Sequence, residues 1–258
     1  MPWSHSNKGQ CPRPALAFFV WPYYVIIEVM MKIFLRDKKQ SLVNAWKGMF
    51  KDFDNFDISC GDIFAEGPHL DCEAIVSPAN SFGYMDGGID FLYSSYFGWG
   101  IGDLLRQELW QHHDGELLVG QAVLIDMRSV GAFPKNSNDL DRESYNRQQA
   151  DRIKRMPYLI SAPTMRVPMN VSQTVNAYLA FVAALRVAKK HDIKSLLCPG
   201  LGTAIGQMDS EVCACQMYEA YLRHDKPKFW DVLGNVHCHH YDMLNADTYK
   251  GTKICGSN

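Results

Sequence analysis

Residues 76–90 (VSPANSFGYMDGGID) and 196–206 (LLCPGLGTAIG) each follow a short apolar run and lead toward a helix-compatible segment. That layout can hold a diphosphate. Glycines let the backbone approach phosphate oxygens, turn residues aim successive N–H groups at them, and the positive end of a following helix favours negative charge. Two such loops on separate strand-to-helix turns point to a ligand clamped from both sides at the carboxyl ends of the strands. Three side chains nearby add directional chemistry. The Asp62 carboxylate can accept from an exocyclic amine or cap a turn. Asn80 offers a donor and an acceptor, suited to a pair of hydroxyls or to its own turn. Asp90 can hydrogen-bond loop amides and hold the turn.

Composition limits what those groups can serve. The 258 residues, 47% of them hydrophobic, supply a full core for one large domain or two small ones. A formal charge of −2 gives no general attraction to nucleic acid or an anionic membrane, so phosphate binding must come from local backbone geometry. No sequence-specific nucleic acid and no membrane partner is expected, and the oligomeric state is not legible. The eight cysteines are scattered and read as reduced thiols of a cytoplasmic protein. Cys213-Ala-Cys215 and the His237–His240 run lack the paired spacing of a structural zinc site, and neither a metal nor a cofactor is expected.

Residues 1–30 differ from the rest. The run from Ala15 to Ile27 is apolar but shorter than a bilayer span, is broken by Pro22, and is followed by no small-residue cleavage pattern. It reads as an extension, disordered or packed on the surface, ahead of a domain over 31–247, with a tail over 248–258. Within that domain the elements alternate. Strands are expected at Lys32–Leu35, Phe56–Ser59, Ala74–Val76, Gln121–Ile125, Pro157–Ser161 and Ser195–Cys198, with a late one at Asn235–Tyr241. Helices are expected at Gln40–Met49, Asp103–Trp110, Arg142–Arg155, Thr174–Lys189 and Glu211–Leu222. The polar connection 128–155 either borders a site or is a solvated insertion. Strands separated by helices imply parallel pairing and a three-layer α/β/α sandwich.

In order along the chain, these residues resemble a macro domain, the ADP-ribose-binding α/β/α module with a mixed, mostly parallel sheet. Gly61-Asp62-Ile63 resembles that family's G-D-I, and Val76–Asn80 with Gly87–Asp90 resembles V-N-A-A-N followed by G-G-G-V-D. Gly120-Gln-Ala122 is similar to the G-x-A strand entry, Tyr158–Pro163 to I-I-H-A-V-G-P, and Pro199–Gly206 to the P-x-I-S-T-G-x-x-G phosphate loop. The resemblance implies that Asp62, with Ile63, meets adenine and that Asn80 meets the distal ribose. It implies that Gly87, Gly88 and Ile89 close over that sugar, with Ser77 beside them. Gly200, Gly202, Thr203, Ala204, Ile205 and Gly206 would line the diphosphate. Tyr241 or His240 on the last strand would cover the base.

Asp90 matches the residue implicated in positioning or activating water at the distal anomeric carbon in hydrolysing members, with Asn80 as its working partner. Three departures bear on that role. Hydrolases of the family commonly carry Asn where this chain has Ser77 and His where it has Ser94, and Met85 and Asp86 stand where glycines are usual, adding bulk and negative charge near the distal pocket. The resemblance therefore implies binding of ADP-ribose or an ADP-ribosylated macromolecule, with hydrolysis of mono-ADP-ribose conjugates or a related derivative such as ADP-ribose 1″-phosphate. The alternatives are a non-catalytic reader and a structural domain with a degenerate pocket.

Overall fold

The computed structural model describes residues 30–130, 139–225, 230, 232–245 and 247. All of the expected extension over 1–30 except Met30, and the tail over 248–258, lie outside the described residues. So do residues 131–138 of the polar connection.

The chain begins with β1 (Lys32–Asp37), α1 (Gln40–Met49), β2 (Phe56–Cys60) and β3 (Ala74–Ser77). It continues through α2 (Gly88–Phe97), α3 (Gly100–His112), β4 (Val123–Asp126), α4 (Asp139–Arg155) and β5 (Tyr158–Ser161). The last elements are α5 (Asn176–Lys190), β6 (Ser195–Cys198), α6 (Ser210–Asp225) and α7 (Leu233–Asp242). The strands form one sheet in the order β2-β1-β6-β3-β5-β4. All pairings are parallel except β4 with β5, where Ile125 faces Leu159 antiparallel. The sheet is therefore mixed and mostly parallel, as the resemblance implies. Its central strands β3 and β6 are short and mostly apolar because both faces are covered: every residue of β3 is buried, and so is Leu196–Cys198 of β6.

Helices cover both faces and make two cores. On one side α1, α5 and α6 bury Leu42, Trp46, Phe181, Leu185 and Met217 against Ile33, Leu35 and Val76 of the sheet. The buried stripe of α5 is rich in alanine (Ala177, Ala180, Ala184, Ala188), which lets α6 approach closely. On the other side α2 and α3 pack Tyr93, Phe97, Ile101, Leu105 and Leu109 on Ile75, Leu159 and Leu197. Three layers result. Leu35 is fully buried in the first core. Leu35→Ala is expected to cost about 3 kcal/mol through lost transfer energy and the void left behind, read as a fall in the urea midpoint at unchanged slope.

Two expectations change. Asn235–Tyr241, expected as a strand, lies within helix α7, none of whose residues is buried. Among the described residues it pairs with no strand, and it meets α6 through His239, whose Nε2 lies 2.9 Å from a Glu219 carboxylate oxygen. The connection after Arg128 forms α4, which is no idle insertion. It buries Ile153 and Gln149, and Arg152 stacks over the Tyr96 ring at 4.3 Å while donating to the Tyr96 carbonyl. It braces α2 from behind and does not line the cleft described below. No helix among the described residues is long and apolar enough to cross a membrane.

Candidate functional site

Parallel pairing of β1, β6, β3 and β5 puts their carboxyl ends on one edge of the sheet, and the segments leaving those ends enclose a cavity of about 390 Å³. Both glycine-bearing loops line it. Asn80, Gly87, Gly88, Ile89 and Asp90 form one wall, and Gly200, Gly202, Thr203, Ala204, Ile205 and Gly206 form the facing one. The segment after β5 adds Thr164, Met165, Val167 and Pro168, and β1 contributes Asp37.

The second loop folds around two glycines. Gly202 takes φ +71°, a conformation costly for any residue with a Cβ. A Cβ on Gly206 would lie 2.4 Å from the Gly202 carbonyl oxygen, so only glycine lets the loop close on itself. Met208 N–H then donates to Gly202 O and Val171 N–H to Gly206 O, fixing the hairpin-like shape. Among the described residues the amides of Thr203, Ala204, Ile205 and Gly206 donate to no protein acceptor. They are open to an anion or to water. Beneath the loop, Cys198 and Cys213 are fully buried, and burial pushes their thiols up, that of Cys213 to about 12. They are packing groups and not thiolate nucleophiles.

The first loop enters α2 through Gly88 at φ +58°, and the first turn of that helix carries Asp90. Asp90 is only 7% exposed yet reaches the cavity wall. Ser77 Oγ donates to Asp90 Oδ1 at 2.6 Å. Burial pushes the Asp90 carboxyl up to about 7, and the Ser77 hydrogen bond pulls the other way without offsetting it. Ser77 itself is wholly buried and does not line the cavity, so it touches the site through Asp90. Ser94, which stands where the family's hydrolases carry His, is buried and donates to the Met85 carbonyl at 2.6 Å. Met85 is 3% exposed and packs in the second core, so it adds no bulk to the pocket. Asp86 does line the cavity and brings the expected negative charge.

Asn80 is largely engaged within its own loop. Its Oδ1 accepts from Phe82 N–H at 3.0 Å and Tyr84 N–H at 3.4 Å, and its Nδ2 donates to the Tyr84 carbonyl at 2.8 Å. One amide proton is left to offer the cavity. Asp62 sits past the end of β2, beyond the cavity lining and 46% exposed, with Lys38 Nζ at 2.6 Å. The Lys38 hydrogen bond, then that from the Phe64 amide, holds its carboxyl below the usual range. Ile63 is buried in the second core. Tyr241 lies on α7, 57% exposed, with its ring beside His237 and His240, and none of the three lines the cavity. The aromatic rings that do line it, Phe82 and Tyr84, come from the first loop, whose alternation of turn residues and aromatics was the available signal. Asp37 was also unforeseen; its position just past a strand end was the only hint.

The macro-like domain family matches residues 47–226. An uncharacterized protein of Aquifex aeolicus is 30% identical over 159 residues, covering 62% of this chain and 78% of that protein. Among solved structures, Thermosipho africanus DarTG in complex with ADP-ribose is 18% identical, covers 62% of this chain and 38% of its own, and superposes with a TM-score of 0.43. The Oceanobacillus iheyensis macrodomain with ADP is 14% identical, with coverages of 74% and 87% and a TM-score of 0.47. With most of its length matched and its sheet, loops and cleft in the order described, this chain belongs to the macro-like domain family.

Proposed function

We propose that the cleft binds ADP-ribose and that the chain hydrolyses mono-ADP-ribose conjugates, or a related ADP-ribose derivative, at the distal ribose. The observation that carries the reading is the convergence of both glycine loops on one cavity with Asp90 in its wall. The four open amides of the second loop suit a diphosphate, and the remaining Asn80 proton suits a ribose hydroxyl. The aromatic and apolar side of the cavity suits a sugar face or the group beyond it.

Cleavage at an anomeric carbon passes through an oxocarbenium-like state, which a nearby carboxylate stabilises while it orients or deprotonates water. A carboxyl that titrates near 7 is matched to that role. In its ionised form it takes the proton of the attacking water, and the bond from Ser77 fixes its direction. Asp62, beyond the cavity lining and exposed, is the residue for the adenine amine of a ligand that extends past the cavity, once Lys38 shifts aside. The functional unit is residues 31–247, and the exposed free thiols of Cys60 and Cys238 fit a reducing, cytoplasmic setting.

A non-catalytic reader is the second reading, favoured by the engagement of Asn80 within its own loop, which leaves one polar group fewer for the reacting sugar. Calorimetric titration of ADP-ribose, followed by incubation with mono-ADP-ribosylated protein and assay of released ADP-ribose, separates the two. Binding with release supports hydrolysis, and binding without release leaves the reader. Absence of binding removes both.

A further inference from the structure

We infer that Asp37 is a built-in competitor for the phosphate loop, a specificity-determining carboxylate that a diphosphate must displace from the Gly200 amide. The inference rests on reading the cleft as an ADP-ribose site. Strand β1 lies between β2 and β6 and delivers Asp37 to the sheet edge from which the second loop departs. There the Asp37 Oδ2 accepts from Gly200 N–H at 3.1 Å, while Oδ1 accepts from Lys39 N–H at 2.8 Å. The carboxylate thus occupies the first amide of a loop whose later amides stand open. Gly200 has no room for a side chain among these neighbours: a Cβ there would lie 2.6 Å from Leu42 Cδ2, 2.6 Å from Thr203 Oγ1 and 2.8 Å from Asp37 Oδ2.

The surrounding charge sharpens the competition. Among the described residues the acidic side chains lining the cavity are Asp37, Asp86 and Asp90, and no Lys, Arg or His lines it beside them. Lys38, next to Asp37 in sequence, is paired with Asp62. A ligand carrying two phosphate charges meets like charge at the amide it needs, whereas an uncharged nucleoside does not. Asp37 precedes the stretch matched to the family, so the family pattern does not speak to it.

The test is Asp37→Asn, which keeps an oxygen for the Lys39 amide, removes the charge and frees the Gly200 N–H. Asp37→Ser serves as a second neutral variant should the first melt early. Each is compared with the wild-type chain by calorimetry against ADP-ribose and against adenosine. One charge-assisted hydrogen bond released to the ligand corresponds to about ten-fold tighter ADP-ribose binding, with adenosine unchanged. Equal or weaker ADP-ribose binding by both variants, with the wild type still binding, overturns the role of Asp37 and leaves the reading of the cleft intact. A matching gain for adenosine overturns it as well, because the effect is then one of pocket shape. No ADP-ribose binding by any of the proteins sinks the reading of the cleft and this inference together.

Discussion

Asp90→Asn is expected to lower release of ADP-ribose by about 10²–10⁴-fold, the range lost with a general base, while ADP-ribose affinity stays within a few-fold of wild type. The substitution keeps an oxygen to accept from Ser77 and keeps the shape of the first turn of α2. It removes only the charge and the basicity. The wild-type rate is expected to rise with pH through about 7, as the buried carboxyl ionises. Equal loss of binding and turnover would mean that Asp90 holds the loop and does no chemistry.

The same shift has a signature in stability, which needs no substrate. Burial raises the folded-state pKa of Asp90 from 3.8 to about 7, so the folded chain keeps a proton that the unfolded chain releases near pH 4. Stability therefore falls as pH climbs through the window from about 4 to about 7 and is level on either side of it. A change from 3.8 to about 7 sets a ceiling of roughly 4 kcal/mol on the effect. Asp90→Asn escapes that loss, and its urea midpoint should gain on the wild type between pH 5 and pH 8. A gap that does not change with pH would show that the carboxyl is not desolvated.

Gly206→Ala is the second large effect expected. The added methyl would meet the Gly202 carbonyl oxygen at 2.4 Å and Val171 Cγ2 at 2.6 Å, and a backbone oxygen cannot rotate away. The loop must open, breaking the bonds from Met208 N–H to Gly202 O and from Val171 N–H to Gly206 O. Forcing a group into such a space costs about 1–3 kcal/mol of stability. Scattering the row of open amides should weaken ADP-ribose about 100-fold, the equivalent of two charge-assisted hydrogen bonds. Calorimetry on the folded variant checks this, and affinity within two-fold of wild type would exclude the loop from the site.

Much of this architecture was legible in residue order. The strands of the parallel core are short apolar runs bounded by turn residues, and α1 and β6 occupy the expected spans Gln40–Met49 and Ser195–Cys198. Such segments announce themselves because burial on both faces imposes their composition. Segment 235–241 misled because burial imposed nothing there: α7 buries none of its residues, so its aromatic and β-branched content carried no information about period. Helix α2 was legible only as a helix-compatible segment after the first loop, without bounds, for a different reason. Its start depends on Gly88 at positive φ and on the Ser94 bond to Met85, a tertiary arrangement that no propensity reports.

At the site, the glycines were readable because close packing admits nothing else at Gly206 and little else at Gly202. Side-chain partners were not. Asn80 and Asp90 are both polar residues in glycine-rich turns, yet one commits its amide to Phe82 and Tyr84 while the other is drawn into a buried bond with Ser77. Asp37 gave no local sign because its partner, Gly200, is 163 residues away and arrives only when β1 and β6 pair.

The seat of β1 inside the sheet has one more consequence. A fragment cut back to the matched stretch 47–226 would not shed a fringe, since β1 and most of α1 would go together. It would leave β2 with no neighbour and one flank of β6 bare, two raw borders of backbone donors and acceptors that favour intermolecular zippering over a monomeric fold.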